Sequence, residues 1–508
     1  MNRRDFLKKS SMVLGATSLA DLVLPKSLYS RENRPKEKPA RRGLGGPDVL
    51  FIAIEDIAPL MGCYGHPIVK TPNIDALAER GVLFNNAYCQ VAVCNPSRAC
   101  VSTGLRPETT GVFHNSIDWR RRIPKGTSAL PEFFRDNGYE TITCGKIHHG
   151  PRYFTDSSEQ AQKREDRMWH KKLRARSRRY VSPAITPKAE RPAWLKPDDY
   201  IARSLNWGPT GLKDAEQGDG ATAQSVAEEL MAKRDKHRKV SPRDRLYMAV
   251  GFHAPHYSLR APDKYFNMYP PDKIILPKNL ENDLADVPHE YSASNTTDDK
   301  WLNEDEKRQV IAAYYACISY IDTCVGILMS ALKQAGRQNN TIVCLWGDHG
   351  MHLGEHFLWR KYTLFENAAR VPFIIAAPGV AKSGPPNPRR AGAVCYRPVE
   401  LIDIYPTLVD LCGLRIPKGL EGISMRPLLE VPGRTWKKAA FTSQNAKNRS
   451  LRTQKWRYTE WGSPENAELY DHENDPGEFT NLAKDPEHAD TVGTSFCMQA
   501  GKQLYRNR

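Results

Sequence analysis

The segment Cys94-Asn95-Pro96-Ser97-Arg98 places a soft nucleophile, a proline and a permanent cation within five residues. Proline is tolerated in the first turn of a helix, where its missing N–H is not needed. The segment therefore predicts a helix that presents Cys94 at its N-terminus. That end of a helix favours negative charge, on a nucleophile or on a bound oxyanion. Arg98 adds a fixed cation nearby. Taken alone, a Cys in a helix is ordinary packing, so the chemistry depends on what else arrives at the same place.

Four other stretches share one pattern, an apolar run that stops at charged or imidazole residues. Val49 to Ile54 is followed by Glu55 and Asp56, and Tyr139 to Cys144 by Gly145-Lys146-Ile147-His148-His149. Leu246 to Val250 runs toward His253 and His256, and Asn340 to Trp346 ends in Gly347-Asp348-His349. Short apolar runs of this kind predict buried strands of a parallel sheet, and open α/β sheets bind ligands beyond the carboxyl ends of their strands. A single acidic pair after a strand is commonly a surface turn, but four such ends predict one polar rim. Val82 to Phe84 predicts another short strand. Helices are expected from Pro72 to Arg80, over Asp305 to Gln334 and over Leu401 to Leu411. Beyond about residue 433 the pattern changes, and Ala439 to Thr442 and Lys455 to Thr459 predict a small antiparallel unit. The expected architecture is α/β, with a catalytic domain over 47–432 and a C-terminal subdomain over 433–508.

A chain of 508 residues is long enough for one large domain and a smaller one. Arg3-Arg4-Asp5-Phe6-Leu7-Lys8 ahead of a broken apolar stretch, Met12 to Leu24, looks like a bacterial twin-arginine export signal over 1–30. The stretch is too short and interrupted to span a bilayer, and no stable membrane span is expected. Residues 31–46 read as a linker. Of the formal charge of +16, residues 1–42 contribute eleven Lys or Arg against four Asp or Glu. A second basic segment, 159–180, carries nine against three. Such a field attracts polyanions, but no nucleic-acid recognition motif accompanies it. The eleven Cys show no zinc spacing and no pairing framework, although an exported protein has room for one or two disulfides.

Cys94 through Gly104, with Pro96, Ser97, Arg98, Thr103 and Gly104, resembles the active-site signature of the type I sulfatases. The resemblance runs over nearly the whole chain after residue 48 and points to the iduronate-2-sulfatase-like branch. Its marks are Met61-Gly62-Cys63-Tyr64-Gly65, Gly251-Phe252-His253, Gly350 to His356, Arg457-Tyr458-Thr459 and Glu468-Leu469-Tyr470-Asp471. It implies an alkaline-phosphatase-like mixed sheet between helices, with a small C-terminal sheet. It also implies that Cys94 is oxidised to formylglycine, whose hydrate attacks sulfur and regenerates itself. A formylglycine-generating or anaerobic sulfatase-maturating enzyme is the implied partner for that step.

Glu55, Asp56, Asp348 and His349, with position 94, resemble the metal set, and carboxylates with few soft ligands suit one hard cation, Ca2+. The family usually carries Asp where this chain has Glu55. The longer side chain would shift the ion or leave Asp56 to carry more of the binding. Lys146 with His149 resembles the sulfate-binding pair, although the commoner family spacing selects His148. His256 and Lys361 resemble further contacts to sulfate and to the leaving oxygen, with His256 favoured as general acid. The expected activity is hydrolysis of a sulfate ester on a sugar or polysaccharide fragment, in the periplasm or outside the cell after twin-arginine translocation. The competing expectations are a phosphate or phosphonate monoester hydrolase on the same fold and a non-catalytic binder of sulfated glycans.

Overall fold

Seven consecutive buried residues, Asp48–Ile54, form the central strand, β1, in the computed structural model. The described residues are 46–150, 154, 158–187, 205–233, 245–288, 299, 302–380, 386–387 and 390–504. The expected export signal and all but the last residue of the expected linker lie outside them.

In chain order the remaining strands of the main sheet are β2 (Val82–Phe84), β3 (Glu140–Gly145), β4 (Lys171–Lys172), β5 (Leu246–Phe252), β6 (Thr341–Gly347), β7 (Phe373–Ala376), β8 (Pro386–Asn387) and β9 (Arg390–Cys395). They are ordered β8-β9-β2-β7-β6-β1-β5-β3-β4. β1, β3, β5 and β6 run parallel, while β7 is antiparallel to both β2 and β6, so the sheet is mixed. Burial on both faces explains why these strands read as continuous apolar runs rather than alternating ones.

Register brings the rim together. Ile54 pairs with Phe252 on one side and Gly347 on the other, so Glu55, His253 and Asp348 leave adjacent strands at one level. Gly145 pairs with Gly251 and has φ +74; a Cβ there would lie 2.0 Å from the Gly251 carbonyl oxygen. Only glycine lets the chain turn at that point and send Lys146 to the same rim.

Helices cover both faces: α1 (Pro72–Arg80), α2 (Cys94–Thr103), α3 (Gly218–Ala232), α4 (Glu304–Gln334) and α5 (Ile404–Leu411). α4 starts at a capping box in which the Asn303 side chain accepts from Glu306 N–H at 2.9 Å and Glu306 Oε2 accepts from Asn303 N–H at 3.1 Å. It is long and apolar enough to cross a membrane, but 83% of its most apolar stretch is buried inside this domain. The segment expected as one helix over Leu401 to Leu411 is a 3-10 turn, Leu401–Asp403, running into α5.

A four-stranded antiparallel meander, β10 (Ala440–Ser443), β11 (Asn448–Arg452), β12 (Trp456–Trp461) and β13 (Ser463–Asp471), follows and precedes a last helix, α6 (Ala489–Leu504). Buried Arg457 on β12 ties this sheet to the segment around Leu364 and Glu366, pairing with Glu366 and Glu478 at 2.5 Å each and donating to the Leu364 carbonyl at 3.0 Å. The ten described cysteines other than Cys497 are free thiols, and all ten are buried.

Candidate active site

β1 ends where the backbone turns sharply, with Asp56 at φ +52. α4 supports that turn: the Tyr314 hydroxyl donates to the Asp56 carbonyl at 2.6 Å and accepts from Ala58 N–H at 2.9 Å. Asp56 N–H donates to Asp348 Oδ1 at 2.9 Å, which locks the end of β1 onto the end of β6. Both carboxylates are fully buried, as are Glu55 and His349.

Cys94 is the first residue of α2, as the proline spacing predicts, and all ten residues of this helix are buried. Its Sγ lies 3.5 Å from Asp56 Oδ1, 3.3 Å from His349 Nε2 and 3.3 Å from Lys361 Nζ. Lys361 Nζ in turn donates to both oxygens of Asp56, at 2.7 and 2.6 Å. Burial pushes the Cys94 thiol up; Lys361 opposes this, but Asp56, Glu55 and Asp348 reinforce it. The encoded thiol is therefore held protonated and is a poor nucleophile.

Arg98, one turn along α2, acts on Cys94 electrostatically and makes its hydrogen bonds elsewhere. Its Nε donates to Asp348 Oδ2 at 2.8 Å, and its Nη1 donates to the carbonyls of Lys146 at 2.5 Å and Ile147 at 3.1 Å. One guanidinium thus fixes Asp348 and the loop after β3 together, a task for its rigid fork of donors. Ser97 Oγ donates to the Asp348 carbonyl at 2.5 Å.

On the opposite side Glu55 accepts from Lys146 Nζ, lies 2.7 Å from His253 Nδ1 and 3.7 Å from His256 Nε2. The two imidazoles stack with centroids 4.7 Å apart. Burial alone would raise both Glu55 and Asp56. Lys146, His256 and His253 outweigh it at Glu55, and Lys361, His256 and His349 outweigh it at Asp56, so both carboxyls stay well below their ordinary values. Burial lowers His256 to about 4 despite Asp56 and Glu55, and lowers His149 to about 3 with help from Lys146. His256 Nδ1 faces the Tyr257 carbonyl at 2.5 Å, so that nitrogen carries the proton and Nε2 faces the cluster.

The donor set could hold a divalent metal ion. One ligand atom each from Asp56, Cys94, Asp348 and His349 lie within 4.8 Å of one another, and Glu55, Asp56, Cys94 and His256 form a second such group. Every residue singled out from the sequence, Glu55, Asp56, Cys94, Arg98, Lys146, His149, His256, Asp348, His349 and Lys361, lies at this rim or acts electrostatically on it. The two candidate imidazoles after β3 separate. His149 feels Lys146, Glu55, Arg98 and Lys361, whereas His148 points to Ser102 and Glu165. His253 was not singled out for a role; its position just past β5 was the available signal.

The basic segment 159–180 is largely compensated, mostly by carboxylates from elsewhere in the chain, Glu132, Glu216 and Glu229. Lys163, Arg164, Arg167, Lys171, Lys172 and Arg178 each pair with a carboxylate, leaving Arg174, Arg176 and Arg179 as exposed cations.

Residues 47–414 match the family described as Sulfatase, and residues 354–499 match the family described as N-sulphoglucosamine sulphohydrolase, C-terminal. A "Sulfatase" of Formosa agariphila is 30% identical over 461 residues, covering 88% of this chain and 85% of that protein. The human "Iduronate 2-sulfatase" is 32% identical over 406 residues, covering 73% of this chain and 70% of the relative. Among solved structures, a phosphonate monoester hydrolase of Agrobacterium radiobacter superposes with TM-score 0.69 at 22% identity over 90% of this chain and 95% of its own. A "2-O GAG sulfatase" superposes with TM-score 0.66 at 22% identity, covering 91% and 94%. At that identity both structures speak for the fold alone.

Proposed function

Because this chain belongs to the sulfatase family, which residues 47–414 match, we propose that it hydrolyses sulfate esters of a sugar or polysaccharide fragment. The observation that carries this reading is Cys94 at the head of α2, in contact with Asp56, His349 and Lys361 at once. Oxidation of this side chain to formylglycine and hydration of the aldehyde supplies an oxygen nucleophile, which the buried thiol is not, and one that regenerates itself. Asp56, Asp348 and His349, with Glu55, would hold Ca2+, which when bound offsets the charge of the sulfate oxygens.

The remaining residues act by position. Arg98 holds Asp348 and the Lys146 loop in register. Lys146 and His149 contact sulfate, and Lys361 steadies the nucleophile and the bridging oxygen. His256, neutral in the free site, gains its proton when an anionic ester enters beside it, since a nearby negative charge favours the imidazolium. Nε2 then donates to the leaving oxygen. A 2-O-sulfated uronate is the favoured substrate class. The 32% identity to iduronate 2-sulfatase over 73% of the chain supports this, as do the shared sequence marks. Export by the twin-arginine route to the periplasm is part of the same proposal, resting on Arg3-Arg4 and the apolar stretch after it.

The test is product analysis on the matured enzyme with 2-O-, 4-O-, 6-O- and N-sulfated sugars beside phosphate and phosphonate monoesters. Inorganic sulfate released preferentially from a 2-O-sulfated uronate supports the reading. Turnover confined to phosphate or phosphonate esters overturns it.

A further inference from the structure

Behind the rim lies a buried polar chain that the mechanism does not use. Ser102, two turns along α2 from Cys94, places Oγ 2.9 Å from His148 Nε2. His148 Nδ1 lies 3.2 and 3.3 Å from the two oxygens of Glu165, which comes from the short helix Glu159–Arg167. Glu165 also accepts from Trp169 Nε1 at 3.0 Å and from Arg120, at 2.6 Å from Nη2 and 2.8 Å from Nε. Arg120 Nη2 then donates to the backbone carbonyl of His149 at 2.8 Å.

Donor and acceptor roles are fixed by elimination. A carboxylate only accepts, so His148 Nδ1 carries a proton; burial lowers His148 despite Glu165, which favours the neutral ring, whose Nε2 accepts from the Ser102 hydroxyl. The geometry is that of a Ser-His-Glu triad, but Ser102 is 6% exposed and the side chain of His148 3%. The hydroxyl has no open face for a substrate. The His148 ring packs edge-on against Trp119, at 5.0 Å between centroids. The chain is therefore built to hold something still. What it holds is the segment 146–149, gripped at the Lys146 and Ile147 carbonyls by Arg98 and at the His149 carbonyl by Arg120.

We propose that His148 and Glu165 are positioning residues for Lys146 and His149. Glu165, through His148 and Arg120, joins α2 to the loop after β3 and so sets the distance between the nucleophile and the sulfate contacts. This rests on the reading that Lys146 and His149 bind sulfate. It also gives residue 148, adjacent to a sulfate contact, a function away from the substrate, and gives the helix at 159–167 a task other than binding polyanions.

The test uses the matured full-length enzyme and three variants, Glu165→Gln, His148→Phe and His149→Ala, with inorganic sulfate as a competitive probe beside a sulfated-sugar substrate. Glu165→Gln removes one of the two carboxylate charges on Arg120, the other being Asp118 at 3.1 Å from Nη1. His148→Phe keeps the ring against Trp119 and removes both hydrogen bonds, so it serves if the first variant fails to fold. Each is expected to raise the inhibition constant of inorganic sulfate and lower kcat/KM by about 10-fold, as loss of an outer partner of a binding residue does. Wild-type inhibition constants and kcat/KM in Glu165→Gln and His148→Phe, with only thermal stability reduced, would overturn the positioning role while His149→Ala still weakens sulfate binding. Unchanged sulfate inhibition in His149→Ala would instead sink the underlying reading.

Discussion

Replacing Arg98 separates architecture from chemistry in this site. The guanidinium makes three hydrogen bonds, to Asp348 Oδ2 and to two backbone carbonyls, while 1% exposed against a fully buried carboxylate. Hydrogen bonds to a charged group contribute roughly 1.5–3 kcal/mol each, so simple addition would approach ~9 kcal/mol. That sum overshoots, because Asp348 Oδ1 keeps the backbone N–H groups of Asp56 and His349. Removing one partner of a buried pair costs about 3–5 kcal/mol, and that is the expected loss for Arg98→Ala. Arg98→Lys keeps the charge but satisfies only part of the fork, so about half that loss is expected. Activity is the wrong assay, since Arg98 lies in the segment that resembles the sulfatase signature and a loss of turnover would not separate stability from conversion of Cys94. The clean measurement is urea unfolding in a Cys94→Ala background without added divalent ions. A loss below about 1 kcal/mol for Arg98→Ala, or an Arg98→Lys protein as stable as its parent, would refute the reasoning from the buried pair.

Cys94→Ala should abolish turnover with the fold retained, checked by circular dichroism beside sulfate release; retained turnover would remove Cys94 as the source of the nucleophile. Glu55→Asp should keep or raise Ca2+ affinity in calorimetry, because the shorter carboxylate gives up Lys146 and His253 and resembles the usual family residue; a large fall would show a site adapted to Glu. Burial pushes Glu468 up to about 8, only partly offset by the Trp461 N–H that it accepts at 2.7 Å. Its folded value lies above its unfolded one, so its stabilising contribution is complete below the ordinary carboxyl range and is lost as pH rises toward 8. Glu468→Gln should therefore gain stability over the parent between pH 5 and pH 8 in urea midpoints, and a constant offset across that window would contradict the assignment.

Much of this site was legible because parallel strands buried on both faces announce themselves as apolar runs, and because each run stops at the residue that faces the rim. Glu55, Lys146 and Asp348 follow directly from that rule, and Cys94 from Pro96. Lys361 carries no such signal. It reaches Asp56 from an irregular segment in which His356, Phe357 and Tyr362 all adopt positive φ, and no periodicity marks such a path. The antiparallel strand Phe373–Ala376 ends at no ligand, so nothing distinguished it from a buried loop. Asn448–Arg452 is polar at alternate and adjacent positions and forms a strand only because its neighbours in the meander pair with it. The partners of Arg98 and the turning away of His148 depend on side-chain direction, which spacing along the chain does not contain.

The most direct test is peptide mass spectrometry at position 94 after co-expression with a maturation enzyme, coupled to sulfate release from the same sample. A Cys94 peptide about 18 Da lighter than encoded is expected, the loss for conversion of the thiol to an aldehyde, with activity rising in proportion to the modified fraction. Sulfate release at full rate from protein whose Cys94 is entirely unmodified would contradict it.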